Sequence, residues 1–373
     1  LGLRYETTDV KSSALVPIPT GTEQSSENEI AIRTDDDVVG FTTFAGSYNN
    51  WLPAVDFDIS PINDVVLRAS YSHTITRPDY ASLNGGLTIN SPARPDGFGS
   101  GQSGNPNLLP YKSKNIDISA EWFYAPASYV SAGYFRKNVS NFIANATTQT
   151  PAFDLTNPSQ GAAAQAARAA LGEDATFAEI LAYAAANNPE VVTFDADGNP
   201  VGLVGQPGDP ELVFTLTQPF NSDQSATLDG FEFALQHSFW ETGFGVILNY
   251  TIVNSDTDYD NTLQYTTSQF AVTGVSDSAN AVLYYDKGGL QARVAYNWRD
   301  EFLSGYGLDP FYIEAYGQVD ASASYEFSNG VTIFGEAINL LNEDRRGHRR
   351  ADQAVYFAAP GHARYTAGLR FTW

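Results

Sequence analysis

Polar and apolar residues alternate one by one through the last nine positions, Tyr365-Thr366-Ala367-Gly368-Leu369-Arg370-Phe371-Thr372-Trp373: odd positions are apolar or aromatic, even ones small or polar. That is the period of a β-strand with one dry and one wet face. The same period runs through Leu290–Arg299 and Val319–Phe327. Ile116, Ile118, Ala120, Trp122 and Tyr124 alternate with Asn115, Asp117, Ser119 and Glu121, and Phe123 alone breaks the wet face. Val55, Phe57 and Ile59 alternate with Asp56, Asp58 and Ser60. A soluble sandwich alternates too, so one such strand decides nothing. About 12 strands of roughly ten residues each, with Asp, Glu, Arg, Gln and Asn repeating on the wet face and aromatics near the strand ends, favour a membrane barrel.

Connection lengths give an independent signal. Tight joins are expected at Ser60–Asp64, Ala125–Ser128, Glu241–Gly243, Asp286–Gly289 and Ser328–Gly330. Between them lie long polar stretches, about 11–45, 76–112, 145–224, 255–277, 300–315 and 343–364. Alternating short and long joins match the short periplasmic turns and long outer loops of a transmembrane barrel; a sandwich has no reason to lengthen every second loop. One segment departs from β: the Ala-rich stretch Gln160–Asn188, with Phe177, Ile180, Leu181 and Tyr183 at near-helical spacing, predicts one or two short helices. These either fold over the barrel mouth or form a surface feature without a ligand role. The expected fold class is all-β, an antiparallel transmembrane β-barrel with a short helical insertion in one outer loop.

Composition narrows the function classes. The 21 Tyr, 23 Phe and 31 Gly suit many strands and turns. No run approaches the roughly 18 apolar residues of a membrane helix. With 20 Lys and Arg against 43 Asp and Glu, the net charge of −23 speaks against a nucleic-acid partner. Zero Cys removes thiolate metal sites and cysteine nucleophiles. The chain has no Met and no signal peptide, and Leu1-Gly2-Leu3-Arg4-Tyr5-Glu6 already alternates like mid-strand. Residues 1–373 therefore read as the C-terminal part of a barrel domain, with a plug and N-terminal strands expected outside them.

Five local patterns resemble one family, the TonB-dependent outer-membrane receptors. Tyr48-Asn49-Asn50-Trp51-Leu52-Pro53-Ala54-Val55, then Val66–Ser72 and Thr76-Arg77-Pro78-Asp79, is similar to a mid-barrel hairpin of that family. Gly104-Asn105-Pro106-Asn107-Leu108-Leu109-Pro110-Tyr111-Lys112-Ser113-Lys114-Asn115 resembles its approach to the next strand, and Ala226-Thr227-Leu228-Asp229-Gly230-Phe231-Glu232-Phe233 its glycine-containing strand. Ile338-Asn339-Leu340-Leu341-Asn342-Glu343 resembles the end of its penultimate strand. The terminal Phe371 and Trp373 match the assembly signal expected of its last strand. The resemblance implies a barrel of about 22 strands around a plug, placed in the bacterial outer membrane and energised by the inner-membrane TonB complex through an N-terminal TonB box. This chain shows neither plug nor box, and strands for only about half such a barrel. Its motifs resemble most the Caulobacter/Xanthomonas-type branch, many of whose members are associated with oligosaccharide uptake; a ferric siderophore is the other ligand class. A passive porin or structural barrel is the alternative function, and an outer-membrane hydrolase a third.

Candidate chemistry is sparse. No nucleophile elbow, phosphate loop or dinucleotide fingerprint is present, so no catalytic residue and no cofactor is expected. His73, His237, His348 and His362 are scattered, so no metal site is expected. Asn254, Asp256, Asp258 and Asp260 lack the central Gly and distal Glu of a calcium loop, and Asp195–Asn199 has its Gly too early; solvated loop tips are the plain reading, ion binding the alternative. Arg345, Arg346, Arg349 and Arg350 form the one basic cluster. Salt bridges to acidic loops, lipopolysaccharide phosphates and an anionic ligand compete as its partners. Aromatics at strand ends fit membrane-interface girdles. Those in loops, Tyr80, Phe98, Tyr259, Tyr265, Tyr306, Phe311, Tyr312 and Tyr356, are candidate ligand contacts because rings stack on sugars; loops packing on themselves is the alternative.

Overall fold

The structure, a computed structural model, describes residues 1–92, 94–265, 267, 269–307 and 309–372, with backbone but not side chains for 35–38 and 42. Its main sheet has 14 strands, of which Val192–Phe194 and Pro200–Val204 belong to a loop. The other twelve form the wall: β1 (Gly2–Ser26), β2 (Glu29–Ile59), β3 (Val65–Thr76), β4 (Tyr111–Ala125), β5 (Ser128–Ser140), β6 (Ala226–Ser238), β7 (Phe244–Ser255), β8 (Ser278–Lys287), β9 (Leu290–Arg299), β10 (Tyr316–Glu326), β11 (Val331–Ile338) and β12 (Arg364–Phe371). Each pairs antiparallel with its neighbours in sequence, an up-and-down meander whose two edges are β1 and β12. Pairing from strand to strand is what a lipid environment demands of backbone N–H and C=O groups.

The faces are inverted relative to a soluble sheet. Register lines up Ala69, Ile118, Tyr134, Phe231 and Ile252 across five strands, one apolar row. On the same face Ile118, Trp122 and Leu369 remain 54%, 53% and 59% exposed, although burial in a sandwich would have covered them. The opposite face carries the charges: Arg68 pairs with Glu121, and Ser70 donates to Asp117 at 3.4 Å. Aromatic pairs bound the apolar band at both ends. Tyr5–Trp51 (4.6 Å) lies at one end, Trp122–Tyr124 (5.3 Å) and Phe244–Tyr285 (4.7 Å) at the other. The five short joins expected from the sequence fall at the second end. In the β8–β9 turn Gly288 and Gly289 take φ of +63° and +81°, which a two-residue hairpin of this hand requires.

The expectation of a long loop at 11–45 is corrected by this structure. β1 and β2 stay paired from Gly2↔Ala54 to Ser26↔Glu29, and only two residues turn the chain. Beyond the membrane both faces of the hairpin meet water or loops, so the dry/wet contrast that marks a strand fades there. Pro17 and Pro19 look like loop residues, but both sit at register shifts on an edge strand, where a missing N–H is tolerated. The other long connections are loops, though structured ones. The two expected helices are present as α1 (Ala162–Leu171) and α2 (Phe177–Asn187). They share a small core, including Ala167, Ile180, Ala184 and Leu203, with the loop strands, and Pro200–Val204 pairs with the tip of β1.

Two predictions follow from register. Cysteines at Ile118 and Leu369 should react with a lipid-phase probe, and cysteines at Asp117 and Arg370 should not; reversed labelling would overturn the faces. A Cβ on Gly230 would stand 2.0 Å from the Ile252 carbonyl and 2.7 Å from the Phe135 ring, whereas one on Gly133 meets nothing nearer than 3.6 Å. Gly230→Val should cost about 1–3 kcal/mol and lower the heat-modifiable, folded fraction, while Gly133→Ala should leave it unchanged.

Candidate ligand site

The outer ends of β7 to β12 carry three loops that fold together. A four-stranded sheet of Phe302–Gly305, Phe311–Ile313, Arg345–His348 and Val355–Ala359 joins the loop after β9 to the loop after β11. Gly347 makes that joint possible, because any Cβ there would lie 2.8 Å from the Tyr312 carbonyl. The loop after β7 leans in: Asn261 donates to the Tyr312 hydroxyl at 3.0 Å, and Arg350 donates to the carbonyls of Asn261 (2.7 Å) and Leu263 (2.6 Å).

This fold brings together five of the eight loop aromatics singled out from sequence. Tyr259 and Tyr306 lie 5.6 Å apart, Phe311 and Tyr356 4.7 Å apart, and Tyr312 stacks on His348 at 5.2 Å with planes 15° apart. Tyr80, Phe98 and Tyr265, by contrast, are 93%, 53% and 65% exposed and have no ring partner among the described residues. Between the loops opens a cleft of about 290 Å³, lined among others by Asn254, Asp258, Tyr259, Glu301 and Tyr312.

The basic cluster is largely tied up inside the same loops. Arg346 lies 3.5 Å from Glu314, and Arg350 3.7 Å from Asp309. Arg349 covers the Tyr356 ring at 4.1 Å, and Arg345 sits 5.4 Å from the Tyr316 ring. Phe371 ends β12 opposite Val331, its side chain exposed, and Trp373 lies outside the described residues.

His348 belongs to no recognisable motif, and its one local signal is its position inside the basic run, beside a glycine. In the fold it is buried, with Nε2 3.1 Å from Glu301 and Nδ1 2.5 Å from the Arg349 carbonyl. Burial alone would lower its pKa, but the hydrogen bonds to Glu301 and Arg349 and the charges of Glu301 and Asp352 outweigh it and raise the pKa. Burial raises the Tyr312 hydroxyl as well, so that ring stays neutral. Among the described residues no group of three His, Asp or Glu side chains is placed to hold a metal.

A meander with an apolar outer face, aromatic belts, short turns at one end and structured loops at the other is the wall of an outer-membrane β-barrel. The chain belongs to the TonB-dependent receptor β-barrel family: the family model described as TonB dependent receptor-like, beta-barrel, matches residues 1–340. This family comprises outer-membrane receptors rather than enzymes. Among solved structures it is similar to the siderophore receptor PirA from Acinetobacter baumannii (TM-score 0.58, 14% identity, covering 100% of this chain and 46% of that one). It is also similar to the ferric enterobactin receptor PfeA from Pseudomonas aeruginosa (TM-score 0.55, 14% identity, 89% and 42% covered). At such identity the likeness is one of fold. The chain spans less than half the length of either receptor. Comparison with curated proteins gives no match.

Because the folded-state pKa of His348 lies above its unfolded value of 6.5, its stabilising effect is complete below that pH and is lost as pH rises through the folded value. Limited proteolysis in residues 343–364 should therefore accelerate as pH rises above 6.5. In His348→Gln the rate should be high throughout and flat with pH.

Proposed function

We propose that the chain is the C-terminal part of a receptor barrel that takes up a nutrient across the outer membrane, driven by TonB acting on a segment outside residues 1–373. The family membership supports this, as do the two open sheet edges at β1 and β12, where further strands would complete the wall. The alternative of a passive porin has no comparable support.

The cleft between the outer loops is the proposed ligand site, with Tyr259 and Tyr312 as contacts. Its chemistry favours a neutral, hydroxyl-rich ligand of the oligosaccharide class. Asp258 and Glu301 line it, and among the described residues its lining includes no Lys or Arg; Arg350 touches only its Tyr259 hydroxyl, at 3.4 Å. Tyrosine rings and carboxylates together suit sugar faces and hydroxyls. A ferric siderophore is the second reading, favoured by the named ligands of PirA and PfeA.

Titration of the whole receptor with a panel of neutral oligosaccharides and ferric siderophores tests the choice. Binding of a sugar that weakens about tenfold or more in Tyr259→Ala, the loss of one stacked ring, is the expected result. Binding of siderophores alone would reverse the assignment.

A further inference from the structure

Above the apolar band the outward face of the wall changes character on three neighbouring strands. His73 of β3 lies opposite Lys114 of β4, which lies opposite Asn138 of β5. One step further out Lys112 lies opposite Ile75 and Ser140; one step inward Arg136 lies opposite Ile116, itself opposite Tyr71. Directly opposed residues share a face, so His73, Lys112, Lys114 and Arg136 stand on the side that carries Ile116, Ile118 and Trp122.

Their height matters as much as their face. Tyr124, in the turn-side belt, is ten residues from Lys114, about 33 Å along a strand. At the roughly 40° tilt of barrel strands that is about 25 Å along the membrane normal, the height of the apolar band. The cations therefore begin where acyl chains end and headgroups start. Their stems can lie against Ile116 and Tyr134 while the charged ends reach the headgroups.

The patch is uncompensated. Among the described residues no carboxylate comes within 4.0 Å of any of the four. Asp229, opposite Arg136 across β5 and β6, is the facing acid in register and makes no ion pair with it. The loop residues Arg346 and Arg350, by contrast, are matched by Glu314 and Asp309. Three Lys and Arg side chains against the one facing acid leave this lipid-facing spot net positive in a chain of net charge −23, a place for an anionic partner supplied by the membrane.

We propose that this patch binds the phosphorylated headgroup of the outer-leaflet glycolipid, the lipid A of lipopolysaccharide. Arg136 offers a planar fork of donors to one phosphate, and Lys112 and Lys114 offer point charges to another. His73, held by the Tyr71 hydroxyl at 2.7 Å, adds a hydrogen-bonding ring between them. The acyl chains lie below, along Ile116, Ile118, Tyr134 and Phe231. The inference rests on the outer-membrane placement of the family and is independent of what the loops bind.

The test uses the whole receptor and purified lipid A as the probe, with binding followed by native mass spectrometry and folding by heat-modifiability. Loss of one interfacial cation weakens binding to an anionic lipid surface about fivefold, so the triple variant K112Q/K114Q/R136Q should bind roughly a hundredfold more weakly. The single variant Arg136→Gln, at an exposed position, should lose about fivefold and serves if the triple variant folds poorly. Dephosphorylated lipid A should bind the parent as weakly as the triple variant, and Arg345→Gln with Arg349→Gln should leave lipid A binding intact. Equal binding of phosphorylated and dephosphorylated lipid A, or displacement by a singly charged phospholipid at equal concentration, would overturn the proposal. So would undiminished binding by folded Arg136→Gln.

Discussion

A peptide group facing hydrocarbon has no water to bond, and leaving it unpaired costs several kcal/mol. The ten inner wall strands answer that cost in the same way, by pairing with the strand before and after them, while β1 and β12 are left as edges. The meander, the alternation and the inverted faces all depend on this. Once the ladder is complete, the outer side chains need only be apolar and the inner ones only compatible with water. That explains why the wall has no dry core of its own and why the buried clusters belong to the loops.

Outside the membrane the constraint changes, and so does the architecture. Loops there must earn their order by contacts with one another. The extended β1–β2 hairpin serves as their post. Glu27 at its turn accepts from the first amide of α2 at 2.7 Å, and Thr22 donates to the Thr156 carbonyl at 2.5 Å. The opposite group of loops has no such post: a small sheet joins two of them, and side chains add the remaining ties, Arg350 to two carbonyls, Asn261 to Tyr312, His348 to Glu301. One group is fixed to the wall hairpin by backbone pairing and helix packing. The other is held by its own sheet and by polar contacts, of which the one at His348 responds to pH.

Charge is distributed to match. Acidic residues dominate the chain, yet the arginines of the last long loop are mostly taken up by Glu314 and Asp309 of the neighbouring loop and by aromatic rings. The cleft beside them stays acidic. On the outward face the cations of β4 and β5 form no ion pair among the described residues, and this basic spot points at the membrane border rather than at the ligand.

The alternation of polar and apolar residues was enough to assign the fold class, the number of wall strands, the faces of β4, β9, β10 and β12, and both helices. Each depends on a period of two or 3.6 residues, which is local. The β1–β2 hairpin escaped because its outer half meets water on one face and loops on the other, so its period carries no hydrophobic contrast. Five of the eight loop aromatics gather while Tyr80, Phe98 and Tyr265 do not, and nothing in their local sequence separates the two groups. That division, the role of His348, and the cation patch all depend on which strands and loops become neighbours. His73 and Arg136 are 63 positions apart in the chain, yet only one strand, β4, stands between theirs. Register, set by pairing between distant segments, is what only the tertiary structure decided.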